Sequence, residues 1–316
     1  MASIAYVTDQ KMIEYHRLNG STSINFWRPT MKRKISDFEV GDFLFFLSKG
    51  TERGRKREKG IIGYGKFQKS QNLSFSQMWN TYGSQNGYTS KVELQDAMRR
   101  ITKDKKVPKS INCLYLTDVV YFQFPIYLSE FEMQISNKIE SYIYLDKDDP
   151  TITNKILAKA KEVGIDLWSS TLNDDQITVE SIDVDQLNYN LSESYSMVEL
   201  DIYKGKSNSQ LKKLKDKIIE FYQFNQIPIE PLKGSNCTLV SIQNKKVEII
   251  TPLIYQQKNM NTNFQAVIGH IILYRSLIIE RLKDYQIEFI IALKDTVSLE
   301  TIALLNATNI NYQIYD

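Results

Sequence analysis

The stretch Glu39–Phe67, EVGDFLFFLSKGTERGRKREKGIIGYGKF, predicts two strands joined by a strongly basic loop. Gly41-Asp42 is a turn signal, and the aromatic run Phe43–Leu47 is typical of a strand. Ile61–Phe67 is a second apolar run, and its internal glycines indicate a bulge or a close backbone approach. The stretch therefore predicts a β-hairpin at the centre of a β-rich N-terminal fold.

The loop of this hairpin concentrates positive charge. Its five basic residues fall within seven positions and are accompanied by a single acid, Glu58. They are Arg53, Arg55, Lys56, Arg57 and Lys59. Such a loop repels itself unless it is solvated or contacts a polyanion. One hypothesis is a solubilising hairpin tip. We favour the other, a contact to nucleic-acid phosphate, because candidate aromatic pocket residues stand beside the loop in the sequence.

Composition argues against several classes of protein. The chain of 316 residues is long enough for two domains with ordinary cores. It lacks an apolar run of the roughly 18–20 residues that a membrane span needs, and Met1–Tyr6 lacks a signal-peptide layout, so we expect a cytoplasmic protein. Cys113 and Cys237 predict buried thiols rather than a disulfide or zinc site. With two histidines, His16 and His270, an HNH nuclease, a histidine-rich metal site and a Ser-His-Asp hydrolase are disfavoured.

Charge is distributed unevenly along the chain. Residues 1–171 contain 26 lysines and arginines against 19 acids, a net of +7. Residues 172–203 contain eight acids and no base, and residues 204–316 contain 14 bases against 10 acids. A basic domain is the usual electrostatic footprint of a nucleic-acid binder. The chain therefore divides by charge into a basic, an acidic and a mildly basic part.

These parts define the predicted domain organisation. Residues 1–171 form a nucleic-acid-binding domain, residues 172–205 an acidic connector, and residues 206–316 a C-terminal domain. The connector contains one candidate strand, Ile177–Ile182. Two arrangements are open for it: it folds back on the basic domain, or it separates the two halves.

The N-terminal domain is predicted to be α+β, with a small, partly open β-barrel. Its candidate strands are Ala2–Val7, Ser23–Trp27, Phe43–Leu47, Ile61–Phe67, Asn112–Phe122 and Ile139–Leu145. One helix is predicted at Ser90–Ile101, where Ser90 and Glu93 have the spacing of a capping box. Its predicted buried stripe consists of Val92, Leu94, Met98 and Ile101.

Six segments of the first half carry a family resemblance. They are INFWRP (Ile24–Pro29), GDFLFFLSK (Gly41–Lys49), GIIGYGKF (Gly60–Phe67), MWNTYGSQNGYTSKVEL (Met78–Leu94), INCLYLTDVVYF (Ile111–Phe122) and IDLW (Ile165–Trp168). In this order they resemble the PUA-like modified-base reader domains of the EVE and ASCH kind. The most similar of these stand in front of HNH nucleases in modification-dependent restriction enzymes, although the second half of this chain does not resemble an HNH module.

The resemblance implies that the domain recognises a modified base extruded from duplex DNA. A stacked, paired base cannot enter a closed pocket, and extrusion costs about a few kcal/mol that stacking and hydrogen bonds recover. The candidate pocket residues are aromatic rings, neutral amides and one carboxylate: Asn25, Trp27, Asp42, Tyr64, Trp79, Tyr82 and Asn86. Asp42 would accept from a cytosine amino group. The alternatives are core packing for each ring and turn formation for Asp42.

Contacts to the DNA backbone are expected from cations near these residues. The candidates are Arg28, Lys49, Arg53, Arg55, Lys56, Arg57 and Lys59. Phosphate contacts position a protein on DNA without reading sequence. No cofactor is implied for this domain.

The C-terminal domain is predicted to be α/β. Its elements in order are helix Ser209–Gln223, hairpin strands Thr238–Ile242 and Lys246–Thr251, helix Phe264–Leu282, strand Ile287–Leu293, helix Ser298–Asn306 and strand Ile310–Tyr315. This order resembles the PD-(D/E)XK restriction-endonuclease-like core. The similar segments are CTLVS (Cys237–Ser241), VEIITPL (Val247–Leu253) and QAVIGHIILYR (Gln265–Arg275).

That family needs an acid on the first hairpin strand and Glu-x-Lys on the second, to hold Mg²⁺ and orient the attacking water. Glu248 matches the second acid, whereas Ile250 takes the place of the lysine, and Asn236 or Thr238 that of the first acid. The resemblance therefore implies a degenerate core with Glu248 as a vestigial catalytic residue and no metal. The alternative of an active nuclease stays open, because catalytic residues can migrate to other positions. Glu220 or Glu230 could supply the carboxylate, and Lys245 or Lys246 could supply the lysine.

The residues and the two resemblances are compatible with three functions. The preferred one is a DNA-binding protein that reads a modified base in a restriction or phage-defence system, with a non-catalytic nuclease-like domain. The second is an active, Mg²⁺-dependent endonuclease for modified DNA. The third is an RNA-binding protein, because PUA-like domains also bind RNA and a basic loop does not discriminate. With each of these functions, the chain could form a homodimer through its C-terminal domain.

Overall fold

The computed structural model describes residues 3–29, 35, 38–102, 104–172, 178–198, 209–254 and 260–315. The chain divides into two compact units, Met1–Gln186 and Leu187–Asp316. The boundary lies inside one helix, Val179–Val198, and thus within the segment predicted as a connector. Among the described residues, no helix is long and apolar enough to cross a membrane.

The first unit is built on a six-stranded sheet. Its strands are β1 (Ile4–Thr8), β2 (Ile24–Arg28), β3 (Phe43–Arg53), β4 (Glu58–Leu73), β5 (Ile111–Ile126) and β6 (Tyr142–Tyr144). The order is β2-β5-β4-β3-β1-β6, with β1 parallel to β3 and the other neighbours antiparallel. All six predicted strands are therefore confirmed, although β3, β4 and β5 continue past their apolar runs.

The sheet is curled so that its two edge strands approach each other. The ring of Phe26 on β2 lies 4.9 Å from that of Tyr6 on β1. The Arg28 guanidinium, also on β2, lies 5.6 Å from the Tyr142 ring on β6. Gly63 lies at a register shift between β4 and β5, where a Cβ would stand 2.3 Å from the carbonyl oxygen of Val120. The mixed α+β character predicted for this unit is thus confirmed.

The first unit also contains helices, the last of which continues into the second unit. They are α1 (Gln10–Leu18), α2 (Phe75–Tyr82), α3 (Lys91–Ile101), α4 (Ile152–Val163), α5 (Leu167–Thr171) and α6 (Val179–Val198). The sequence predicted α3 alone, because the other helices are short or carry mixed patterns. The Ser90 side chain caps α3 by accepting from the Glu93 amide, which confirms the predicted start of the helix, but the Glu93 carboxylate accepts from the Thr89 hydroxyl rather than completing the predicted capping box.

Two details of the helical predictions are wrong. The buried stripe of α3 is Leu94, Ala97 and Met98, whereas Val92 is 66 % exposed and Ile101 50 %. These two residues stand at the first and last turns, where a helix contacts less of the core. The candidate strand Ile177–Ile182 is helical from Val179 onward, and Ile177 lies outside the described residues.

The second unit has a five-stranded sheet. Its strands are β7 (Glu230–Pro231), β8 (Leu239–Gln243), β9 (Lys246–Leu253), β10 (Gln286–Leu293) and β11 (Asn311–Ile314), in the order β11-β10-β9-β8-β7. β7, β8 and β9 form an antiparallel meander, and β9, β10 and β11 run parallel. The helices are α7 (Ser209–Phe224), α8 (Met260–Ile278) and α9 (Leu299–Ala307). The predicted order of helices and strands is confirmed.

The two faces of this sheet have different cores. Helix α7 packs on one face, where Leu214 and Ile218 meet Leu239 and Ile250. Helix α8 and the end of α6 pack on the other face, in the cluster that contains Tyr195. Side chains therefore alternate between an α7 face and an α8 face along β8 and β9.

Candidate nucleic-acid interface

The basic segment is a tight turn between two strands that extend further than predicted. Arg53 pairs with Glu58 across the β3–β4 ladder, which leaves a four-residue turn at 54–57. The Arg53 guanidinium lies 3.4 Å above the Tyr127 ring and also pairs with Glu130 at 3.3 Å. This side chain is exposed but held by neighbours of its own domain.

Two further cations of this segment are also engaged. Arg57 Nε donates to Glu52 at 2.7 Å. Lys59 is buried and donates to the Asn137 carbonyl oxygen at 2.7 Å. The sequence could not indicate the contacts of Arg53 with Glu130 and of Lys59 with Asn137, because these partners belong to a distant part of the chain.

The remaining predicted cations include three at the tip and edge of the hairpin that have no ion-pair partner among the described residues. Lys49, Arg55 and Lys56 are exposed, and none of them forms an ion pair with another residue that the structure describes. Arg28 is different: it is buried, its Nε donates to the Tyr6 hydroxyl at 3.1 Å, and its guanidinium lies over the Tyr6 and Tyr142 rings. Three of the seven predicted backbone contacts are therefore free to meet phosphate.

Three of the predicted pocket residues come together in what we call the Trp27 cluster: Asn25, Trp27 and Asn86, with Tyr88. Asn25 and Trp27 lie two apart on β2 and so share a face. The Asn25 amide donates to Asn86 Oδ1 at 2.8 Å, and Trp27 Nε1 donates to the Asn86 carbonyl at 3.0 Å. The Tyr88 ring stands 6.5 Å from that of Trp27.

A tight turn brings Asn86 and Tyr88 to this place. Gly83–Asn86 is a 3₁₀ turn, and Gly87 follows with a left-handed φ of 81°. A Cβ on Gly87 would lie 2.3 Å from Met12 of α1, so the turn presses directly on that helix. The Tyr88 hydroxyl donates to Asp9, which also caps α1.

The Trp27 cluster contains an unusual buried acceptor. Asn25 is fully buried, and its Oδ1 has no hydrogen-bond partner among the described residues. An unpaired buried oxygen costs about 1–3 kcal/mol, so it needs an explanation. His16 lies behind the same turn, and burial lowers its pKa to about 4 against a smaller opposing effect of the Gln85 backbone. The imidazole is therefore neutral at pH 7.

Tyr64 lies in a different environment from Trp27. It is fully buried among Phe43, Phe45 and Phe122, and its hydroxyl donates to Asp185 at 2.6 Å. Asp185 also pairs with Lys66 at 2.5 Å. Burial lowers the pKa of Lys66, but Asp185 and Asp118 more than offset this, so the pKa is raised and the ammonium stays charged.

The position of Asp185 decides between the two arrangements of the acidic segment. Asp185 belongs to α6 and to the first unit, and it is 4 % exposed. Lys161 pairs with Asp183 of the same helix at 2.7 Å. The beginning of α6 therefore folds back on the basic domain.

Asp42, Trp79 and Tyr82 are each placed apart from the Trp27 cluster. Asp42 accepts from the Glu39 amide at 2.6 Å, in the turn that precedes β3. Tyr82 ends α2, and its ring stacks on Tyr115 of β5 with centroids 5.8 Å apart. Trp79 is half-buried on the same helix.

In the second unit, both carboxylate oxygens of Glu248 have partners within the unit. Its Oε2 accepts from the Tyr222 hydroxyl at 2.8 Å, and its Oε1 pairs with Lys246 at 2.8 Å. Lys246 also pairs with Glu288 on β10 at 3.2 Å. Burial and the bond to Glu248 raise the pKa of Tyr222, so the phenol stays protonated and remains a donor.

The neighbours of Glu248 differ from what the family pattern predicted. Ile250 is fully buried on the α7 face, against Leu239. Thr238 contacts Tyr195 at 3.3 Å, and Tyr195 belongs to the α8 face. Thr238 therefore points away from Glu248, and the residue opposite Glu248 on β8 is Ser241. Asn236 is exposed before β8.

Of the alternative catalytic residues, Lys246 contacts Glu248, whereas the other three have different surroundings. Glu230 accepts from Asn188 of α6 at 2.7 Å, and Glu220 and Lys245 are exposed on α7 and in the hairpin turn. Among the described residues no three His, Cys, Asp or Glu side chains are grouped as metal ligands. Both cysteines are buried and free, as predicted.

Comparison with known proteins gives matches in solved structures alone. No family model matches the chain, and no curated protein matches it. The crystal structure of ASCH from Zymomonas mobilis has 15 % identity and a TM-score of 0.33, covering 49 % of this chain and 94 % of that one. Two point mutants of that protein match with 16 % and 12 % identity and TM-scores of 0.33 and 0.34. They cover 49 % and 50 % of this chain, and 96 % and 95 % of their own.

These neighbours align with the N-terminal half of the chain. The functional assignment therefore depends on the residues of this chain.

Proposed function

We propose that this chain is a nucleic-acid-binding protein whose first unit, a PUA-like domain, reads a modified base extruded from duplex DNA. The observation that carries the proposal is the unpaired Asn25 Oδ1, buried beside the indole of Trp27. An acceptor of this kind matches the exocyclic amino group of cytosine, and an indole matches the face of the base.

The Trp27 cluster is the pocket in this proposal. Trp27 and Tyr88 stack on the base, and Asn25 and Asn86 bind its edge. The turn at Gly83–Asn86 covers the cluster, and its displacement admits the base. Base extrusion and this displacement both cost free energy, which a modification that weakens pairing or adds contacts repays.

Phosphate contacts come from the hairpin. Lys49, Arg55 and Lys56 are exposed and without an ion pair to a described residue, so they lose no internal contact on binding DNA. These contacts hold the protein on the duplex, and the pocket supplies the discrimination.

The second unit is a nuclease-like core without catalysis in this proposal. Glu248 has both oxygens engaged by Tyr222 and Lys246, and Ile250 fills the lysine position with a buried aliphatic chain. We place the protein in a restriction or phage-defence setting, where recognition of modified DNA by such a chain recruits or regulates cleavage. The unit is also our candidate for homodimer formation.

A binding screen tests the pocket. Fluorescence anisotropy is measured with duplexes that carry one unmodified, methylated, hydroxymethylated or glucosylated cytosine. We expect one modified duplex to bind more tightly, and Trp27→Leu or Asn25→Ala to reduce that preference by about 5- to 150-fold, the usual worth of one base contact. Weak salt-dependent binding persists, because the phosphate contacts are intact.

Trp168→Leu is the matched control. Trp168 is 56 % exposed on α5 and takes no part in the cluster, so this variant keeps the preference. Equal affinity of the wild type for all four duplexes would overturn the modified-base proposal. Tighter binding of a structured RNA competitor would favour RNA as the ligand.

A further inference from the structure

A row of aromatic side chains outside the Trp27 cluster lies on one surface of the first unit. We call Phe75, Trp79, Tyr82 and Tyr115 the aromatic row. Phe75, Trp79 and Tyr82 are spaced i, i+4 and i+7 along α2 and therefore share a face of this helix. Tyr82 stacks on Tyr115 of the neighbouring strand at 5.8 Å with an interplanar angle of 25°.

A lysine stands at each end of the aromatic row. Lys69 Nζ lies 5.5 Å from the Tyr115 ring centroid, on the adjacent strand β4, where the two residues are cross-strand partners. Lys91 Nζ lies 5.8 Å from the Phe75 ring centroid. The contacts therefore form two groups: Lys69 with Tyr115 and Tyr82 at one end, and Lys91 with Phe75 at the other, with Trp79 between them along α2.

Tyr82 is 6 % exposed and belongs to the core, whereas the other three rings of the row reach the surface. Phe75, Trp79 and Tyr115 are half-buried and pack against the core cluster, while Lys69 is exposed. Neither lysine forms an ion pair with another described residue, and Lys91 is held by a hydrogen bond to Ser76 at 3.3 Å. Other lysines of this unit, such as Lys66 and Lys155, do form ion pairs.

The helix is held firmly in place. Ser74 and Gln77 form a complete capping box at its start, and Met78 is fully buried beneath it. The distance along α2 from Phe75 to Tyr82 is about 10 Å. The helix is therefore a fixed platform for the half-buried rings of Phe75 and Trp79.

From this arrangement we propose that the aromatic row binds a short single-stranded stretch of nucleic acid by base stacking, with Lys69 and Lys91 on flanking phosphates. Aromatic rings beside cations form the usual surface for unpaired bases, since every base has a π-face. A duplex hides these faces in its own stack. The surface thus fits the strand that becomes unpaired near an extruded base, or a free single strand.

The proposal rests on the nucleic-acid binding proposed above, but its residues lie outside the Trp27 cluster and the hairpin. The experiments can therefore contradict the aromatic-row proposal without contradicting the Trp27 cluster proposal, and the reverse. Single-strand affinity reports on the aromatic row, whereas the affinity ratio between modified and unmodified duplexes reports on the Trp27 cluster.

The experiment compares fluorescein-labelled 12-mers of oligo-dT and oligo-U with a duplex of equal length. We expect Tyr115→Leu and Trp79→Leu each to weaken single-strand binding by about 5- to 150-fold, the range for loss of one stacked base. Tyr115→Phe keeps the ring and should bind like the wild type. Trp168→Leu is the control for loss of an exposed tryptophan, and it should stay within about twofold of the wild type.

Thermal melting establishes that each variant is folded, and if Trp79→Leu does not fold, the Tyr115 pair decides the matter. Single-strand affinity that is equal in wild type, Tyr115→Leu and Tyr115→Phe would overturn the proposal. So would a wild type that binds the duplex and neither single strand. Retained preference for a modified duplex in Tyr115→Leu, together with lost single-strand binding, would support it.

Discussion

At the level of single residues, the buried His16 gives the first unit a pH-dependent stability that can be measured. Its pKa falls to about 4 from an ordinary 6.5, because burial disfavours the imidazolium. The unfolded chain therefore binds more protons than the folded one between these two values. Folding stability should fall as the pH is lowered from about 6.5 to 4, by up to about 3 kcal/mol from this residue.

Urea unfolding at pH 7.5, 6, 5 and 4.5 measures this loss, with His16→Gln as the comparison. The amide keeps polarity at the site and does not titrate, so the pH dependence of the variant should be flatter over this interval. His270 is retained in both proteins, and its pKa is also lowered by burial, which leaves a common background. Identical pH profiles for wild type and variant would rule out a buried neutral His16.

At the level of secondary-structure elements, the β3–β4 hairpin divides its cations into paired and unpaired ones. Neutralising Arg55 and Lys56 together, as Arg55→Gln with Lys56→Gln, should flatten the slope of log affinity against log salt by about two units, because each phosphate contact contributes about 0.9. Arg53 and Arg57 contribute less, because Glu58 and Glu52 already hold them.

Lys11→Gln with Lys147→Gln removes the same charge from exposed positions elsewhere in this unit and is the matched control. Its slope should stay near that of the wild type. A double hairpin variant whose slope is unchanged would show that the turn does not touch phosphate.

The elements themselves could be read from local signals, whereas most of their partners could not. Apolar runs and turn residues located all six strands of the first sheet, and Ser90 located the start of α3. The contact between Tyr64 and Asp185 spans 121 positions, and a strand pattern does not say which face of a curled sheet a ring will join. Asn25 and Asn86, 61 positions apart, were predicted as one site because the resemblance supplied the long-range pairing.

At the scale of the whole molecule, one unit contains a buried amide oxygen without a hydrogen-bond partner among the described residues, and the other contains a carboxylate with both oxygens engaged. The Asn25 Oδ1 has no partner among the described residues, whereas Glu248 accepts from both Tyr222 and Lys246. DNA binding and DNA cleavage can therefore be tested separately, one in each unit. Binding should be a property of the first unit, and the second unit should leave DNA intact.

We predict that the purified protein does not cleave modified or unmodified DNA with Mg²⁺ or Mn²⁺. Mg²⁺ gives up its water reluctantly and usually needs more than one anionic ligand as well as an open position. Glu248 offers neither: Lys246 already neutralises it, and Ile250 and Leu239 close the α7 face beside it. Thr238→Asp would not repair the site, because Thr238 points to the α8 face.

Gel analysis of plasmid and oligonucleotide substrates measures cleavage, and anisotropy measures binding by Glu248→Ala. That variant should bind DNA like the wild type. Glu230→Ala is the matched control, because it removes a carboxylate bonded to Asn188 of α6, away from Tyr222 and Lys246. If the wild type cuts DNA with added metal, and this activity disappears in Glu248→Ala but survives in Glu230→Ala, then Glu248 is a working metal ligand and the second unit is an enzyme.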